Sequence, residues 1–179
     1  MEFNKTVRAR RSVRAYEAGK TVEKAQIEAM LEAALEAPSW KNSETGRYYV
    51  AMSPELVEEI RSSCLPQFNQ KSSAGAPVMI VTAFVKGISG FTKEGEAENE
   101  LGDGWGCYDL GLQNANLTLK AAELGLDTLI MGIRDADRLR SLLSIPEEQE
   151  IAAVIAVGHG AVRPEMPKRR TLEETAVFF

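Results

Sequence analysis

The stretch from about Trp105 to Leu124 constrains the fold of this chain more than any other. Its apolar residues fall into two stripes at helical spacing. Tyr108, Leu112, Ala115, Leu119 and Ala122 make one; Leu110, Leu117, Ala121 and Leu124 make the other. A helix that is apolar on two sides has to be covered on two sides. It therefore reads as a central helix, with a sheet against one stripe and a partner against the other. Gly125 is placed to cap it. Material for the sheet is visible elsewhere. Pro77–Phe84 is a β-branched apolar run that reads as a buried strand, and Tyr48–Met52, Thr128–Met131 and Ile151–Val157 read as further strands. Helices are predicted over 22–36, with Thr21 as N-cap and Pro38 as the stop, from Ser53-Pro54 onward with Ser53 capping, and at about Ala136–Leu143. This order of elements predicts an α+β fold, with helices on both faces of a small mixed or antiparallel sheet. At 179 residues, one domain spanning 1–179 is expected.

Two segments stand apart from that frame. Residues 86–106 hold Gly87, Gly90, Gly95, Gly102, Gly104 and Gly106 among several acids, and read as a long mobile surface loop of the kind that often serves as a lid. The last residues, Thr175-Ala176-Val177-Phe178-Phe179, are apolar. A free tail is ordinarily polar, so 161–179 is expected to be an extended segment packed on its own domain or, by preference, on a second subunit.

Charge is distributed unevenly. The chain is acidic overall, with a formal net charge of −5, which argues against a general nucleic-acid binder. Yet cations cluster at Arg10-Arg11-Ser12-Val13-Arg14 and again at Lys168-Arg169-Arg170. Solvated surface charge is the plain reading of either cluster alone. Two of them on an acidic chain suit a dianionic phosphate, whose oxygens planar guanidinium groups bind in pairs. In an extended segment alternate side chains share a side, so Arg10, Ser12 and Arg14 would face one ligand together. Gly132 falls at the end of a predicted strand, where a flat ring can approach the main chain. Arg11 reads equally as surface charge or ligand, Trp40 as ring-stacking or interface, Phe68 as pocket wall or core, and Tyr16 as packing.

Several classes of chemistry are poorly supplied. Cys64 and Cys107 are not spaced as a metal pair; a disulfide is one reading of them, and two free thiols in a reducing cytosol is the preferred one. A single histidine, His159, argues against a histidine-based metal site and against Ser-His-Asp or Cys-His catalysis. No secretory h-region and no membrane span is read from the sequence, so a cytoplasmic protein is expected. A bound cofactor would then carry the reaction.

In order along nearly the whole chain, RRSVRAY at 10–16, APSWKN at 37–42, FNQK at 68–71, QNANLTLKAAELGLDT at 113–128, IMG at 130–132, AVIAVGHG at 153–160 and KRRTLEE at 168–174 resemble the FMN-dependent nitroreductase family. The resemblance implies a sandwich fold that forms an intertwined homodimer, with the C-terminal tail reaching the neighbour. It implies FMN, with its phosphate held by Arg10, Lys168 and Arg170. Ser12 would bind the ribityl or phosphate region, and Arg14 would lie near flavin N1 and O2, where a fixed cation favours the reduced, negatively charged ring. Pro38, Ser39 and Asn42 would pack on the flavin from the partner subunit. Asn69 and Lys71 would contact the ring edge and ribityl chain, and the main-chain amides of Met131 and Gly132 would lie near N5. The implied reaction passes hydride from NAD(P)H through FMN to an oxidised small molecule such as a nitroaromatic or quinone, with ping-pong kinetics. Another reductive flavin reaction, an FMN carrier without useful turnover and a phosphate-binding module without flavin are the alternatives. Glu44-Thr45-Gly46 stands where many members have a Gln-Pro-Trp run, so substrate preference does not carry over. The pocket-shaping insertions of larger members are absent or reduced to 86–106.

Overall fold

The computed structural model describes residues 2–179. Four strands form one sheet: β1 (Gly46–Ala51), β2 (Val78–Val85), β3 (Asp127–Met131) and β4 (Gln149–Gly158). Their spatial order is β1-β2-β4-β3, and every neighbouring pair is antiparallel. The two central strands are β-branched and apolar along nearly their whole length and are buried almost without interruption. Such strands need cover on both faces, and the helices supply it.

On one face α3 (Pro54–Cys64) and α6 (Ala136–Leu143) press Ile60, Cys64 and Leu139 onto Val81, Val154 and Leu129. On the other, α2 (Lys24–Leu35) and α5 (Gly104–Glu123) press Ile27, Met30, Leu117 and Ala121 onto Ile80 and Ile155. The architecture is the α+β sandwich read from the sequence, with a wholly antiparallel sheet. Two short helices, α1 (Phe3–Ala9) and α4 (Gln67–Ser72), had no counterpart in that reading.

Local chemistry explains the boundaries. Ser53 caps α3 by accepting the Leu56 amide, and Pro54 occupies the first helical position. The start of α2 lies at Lys24 rather than Val22. Glu23 is the N-cap instead of Thr21, because its side chain and that of Gln26 satisfy each other's backbone amides in a capping box. Gly125, just beyond α5, adopts φ of +76°, the left-handed turn that ends a helix most cheaply in glycine.

Only one stripe of α5 is covered within the chain. Leu110, Leu117 and Ala121 are buried, whereas Tyr108 is 59% exposed and Leu112, Leu119 and Ala122 are partly so. The buried side also holds polar residues: Asp109, Gln113, Asn114 and Thr118. Gln113 fits because Gly46 opposite has no side chain; a Cβ there would sit 1.9 Å from Gln113 Oε1. The Tyr48 hydroxyl donates to that oxygen at 3.1 Å.

After Gly160 the chain leaves the sandwich. Residues 161–179 form no helix or strand, and Val177, Phe178 and Phe179 lie in solvent. No helix among the described residues is long and apolar enough to cross a membrane.

Leu117 is fully buried between α2, α5 and the sheet. Leu117→Ala is expected to cost about 2–5 kcal/mol in urea or guanidinium unfolding, from lost burial plus the cavity left behind.

Candidate functional site

The segment after α1 is extended and fastened to the sheet edge at β3. The Val13 amide donates to the Thr128 carbonyl at 3.0 Å, the Glu17 amide to the His159 carbonyl at 2.8 Å, and the Ala161 amide to the Ala15 carbonyl at 2.9 Å. Isolated bridges pair Ser12 with Thr128 and Tyr16 with Gly160. Val13 is completely buried, and its neighbours Ser12 and Arg14 therefore face outward. Asp127 closes this corner: its carboxylate accepts the Gly160 amide at 2.9 Å and lies 3.4 Å from Arg163 Nη1. Tyr16 packs inside, with its hydroxyl 3.4 Å from the Ala156 carbonyl. Burial first, then the nearby Asp127, pushes that phenol well above its ordinary value, so it keeps its proton and serves packing.

The cations gathered here lack counterions. Among the described residues no carboxylate lies within ion-pair distance of Arg10, Arg11, Arg14, Lys168, Arg169 or Arg170. Burial lowers the Arg10 guanidinium, and repulsion from Arg169 and then Arg11 lowers it further. Of the tail cations it is Arg169 whose charge bears on Arg10. Arg11 donates from Nη1 to the Arg10 carbonyl at 2.7 Å, while its buried Nε finds no partner. Three like charges without a counterion, and with an orphaned donor among them, are the chemistry that an anion would satisfy.

Beside them a cleft of about 240 Å³ opens at the end of β3, lined by Arg14, Phe68, Asn69, Met131, Gly132 and Ile133 among others. Phe68 is 55% exposed and forms a wall rather than core. Ile130 and Ile133 are also half exposed, and nothing lies within 4 Å of where a Gly132 Cβ would stand. Apolar faces beside a fixed cation suit a flat ring with an electron-rich edge. Asn69 is buried, and its side-chain amide donates to the Ile133 carbonyl at 2.8 Å, which sets the loop after β3. Lys71 is exposed on α4 and does not line the cleft. A larger hollow of about 420 Å³ near Val22, Met52 and Pro77 contains none of the candidate site residues predicted from the sequence.

Pro38, Ser39 and Asn42 lie elsewhere in the same chain. Pro38 and Ser39 lead into, and Asn42 closes, a tight 3-10 turn (Trp40–Asn42) that runs on into β1, the edge strand opposite β3, and packs on the N-terminal part of α5. One chain therefore presents two separate groups: Arg10, Arg11, Ser12, Arg14, Asn69, Met131 and Gly132 at the β3 edge, and Pro38, Ser39 and Asn42 at the other. Lys168 and Arg170 are exposed on the tail. Sequence reasoning missed Asp109 and with it the bond from the Trp40 amide, since it weighs Trp40 only as ring-stacking or interface. The available signal was an acid eight residues before Leu117, on the stripe that helical spacing buries.

The model of the "Nitroreductase family" matches residues 7–76 and 65–159. "Putative NAD(P)H nitroreductase MhqN" of Bacillus subtilis (strain 168) is 22% identical over 191 residues, covering 93% of both proteins. The fold is shared with solved structures. A nitroreductase family protein from Streptococcus pneumoniae TIGR4 aligns with a TM-score of 0.86 at 20% identity, over 99% of this chain and 100% of that one. A "putative nitroreductase in complex with FMN" from Exiguobacterium sibiricum 255-15 aligns with a TM-score of 0.85 at 19% identity, over 100% and 98%.

Asn69→Ala removes the donor to the Ile133 carbonyl. A loss of about 1–3 kcal/mol in denaturant unfolding is expected, with faster amide exchange over residues 131–134 as the local signature.

Proposed function

This chain belongs to the nitroreductase family, and from that premise we propose that it is an FMN-dependent oxidoreductase, taking electrons from NAD(P)H and delivering them to a small oxidised acceptor such as a nitroaromatic or quinone. The observation that carries the reading is the run of unpaired cations on one extended segment, of which Arg14 reaches an open cleft walled by Phe68 and Ile133. A phosphate and a flat ring are the two ends of one cofactor, and the residues present fit both.

FMN, when bound, would supply the two-electron redox chemistry that links a nicotinamide donor to the acceptor. The chain supplies binding, orientation and charge. Arg10 and Arg11 stand ready for the phosphate with the tail cations, and Arg11 Nε is a donor still wanting an acceptor. Ser12 and Arg14 project on the outer side of the same extended segment. Arg14 reaches the cleft, where its fixed charge would favour negative charge on the ring edge beside it. Gly132 is exposed and leaves the main chain bare, so that its amide is the one a ring would meet, whereas Met131 is buried and paired with Val154 in the sheet.

A homodimer belongs to the same proposal. Pro38, Ser39 and Asn42 sit at the sheet edge opposite the cleft, so they complete the site only if contributed by a second copy. Two further features support this: the uncovered stripe of α5 and the apolar end of the tail, Val177 to Phe179, both lack cover in one chain.

Titration with FMN, followed by visible spectra and ultracentrifugation, tests the reading. The wild type is expected to bind FMN as a dimer and to be bleached anaerobically by NADH or NADPH; a protein that stays colourless with added FMN overturns it. Arg10→Ala is expected to raise the Kd for FMN about 10- to 100-fold, the scale of one charge-assisted hydrogen bond. Arg14→Ala is expected to lower the flavin's reduction potential more than its affinity, and an unchanged potential removes that role.

A further inference from the structure

The turn that carries Ser39 and Asn42 is strained. Lys41, Asn42 and Glu44 have φ of +47°, +56° and +49°, in the left-handed region that side chains other than glycine rarely occupy. A strained turn persists only where its surroundings hold it. Some of that support is internal: Ser39 Oγ accepts the Glu44 amide at 3.1 Å, and the Arg47 guanidinium donates to the Glu44 carbonyl at 2.9 Å. The tie to the body of the protein is the Trp40 amide, which donates to Asp109 Oδ2 at 3.0 Å.

That same oxygen accepts the Ser89 hydroxyl at 2.6 Å. Asp109 is 2% exposed, and no cation among the described residues pairs with it. A buried carboxylate without a cation is costly, and an apolar residue there would sit more cheaply on α5. What the carboxylate does instead is gather two donors from distant parts of the chain. Around it the same two segments meet again. The Trp40 and Trp105 rings lie 4.5 Å apart, and Lys41 pairs with Glu98. Trp105 in turn donates to Asn99 Oδ1 at 2.8 Å.

We propose that Asp109 is a positioning residue: through one buried oxygen it locks the strained 39–44 turn to the 86–106 segment, so that the packing of that segment sets the shape of the turn offered to the bound flavin of a second copy. The lock stands on hydrogen bonds within one chain; its consequence for FMN and acceptor rests on the function proposed above.

Hydrogen exchange and steady-state kinetics on the FMN-loaded protein test it. Ser89→Ala is the decisive variant, because Ser89 does not touch the turn. It leaves the buried carboxylate with one donor, and exchange of the Trp40–Glu44 amides is expected to quicken about tenfold, the scale of one lost hydrogen bond. Unchanged exchange there overturns the lock, even if Asp109→Ala proves unable to fold. Asp109→Ala is expected to loosen 40–44 and 89–91 together and to raise KM for a quinone acceptor several-fold. Asp109→Asn, which keeps an accepting oxygen, is expected to restore most of both. Loosening of one segment alone, or no rescue by asparagine, counts against the proposal. An unchanged KM with both segments loosened keeps the lock and removes its functional consequence. A wild type that takes up no FMN removes the functional reading, while exchange of the same amides still decides the lock.

Discussion

β4 runs through the middle of the sheet with side chains buried on both faces, paired to β2 on one side and β3 on the other. That double burial dictates the rest. A strand covered on both faces demands a layer of helices above and below, which places α2 and α5 on one side and α3 and α6 on the other. It leaves β1 and β3 as the edges. The extended Arg10–Tyr16 segment attaches beside β3, and the 39–44 turn feeds into β1. The two groups of candidate site residues are therefore held apart by the width of the sheet, as a consequence of how the core is built.

The cation cluster works against folding. Arg10 is partly desolvated and repelled by Arg169 and Arg11, and no carboxylate in the described structure relieves it. In an acidic chain with 26 carboxylate side chains, pairing these arginines would have been easy. Leaving them unpaired costs stability, and under the function proposed above it would keep their donors available to the cofactor's phosphate. Nearby, Asp127 shows the opposite arrangement, a buried carboxylate fully engaged by the Gly160 amide and Arg163, which fixes where the tail departs.

What could be read from the sequence follows the range of the interactions involved. The strands, α3 with its Ser53-Pro54 start, and α6 were legible because their signals lie within a few residues. α1 and α4 were not, since six or seven residues hold too little periodicity to register. At α2, Thr21 and Glu23 competed as caps, and the capping box through Gln26 decided. The polar residues on the buried side of α5 were illegible for another reason. Asp109 meets Ser89 and Trp40, Gln113 meets Tyr48, and Asn114 lies 3.5 Å from Thr82, all partners brought in by the fold. In the site, the alternation of Arg10, Ser12 and Arg14 was visible, whereas the approach of Arg169 to Arg10 and the placing of Pro38, Ser39 and Asn42 at the far edge depend on topology.

The buried polar residues of α5 also order the segment that precedes the helix. Residues 86–106 contain little regular structure and many glycines, a composition that by itself favours many conformations. They are nevertheless tied back repeatedly: Ser89 to Asp109, Gly87 to Asp103, Glu98 to Lys41, and Asn99 to Trp105. Each tie is polar and directional, and an apolar patch would not specify one arrangement in the same way. Asp109 is the tie that α5, the helix packed across the sheet, anchors most deeply. A segment ordered this way can vary in sequence between its ties and still present the same turn.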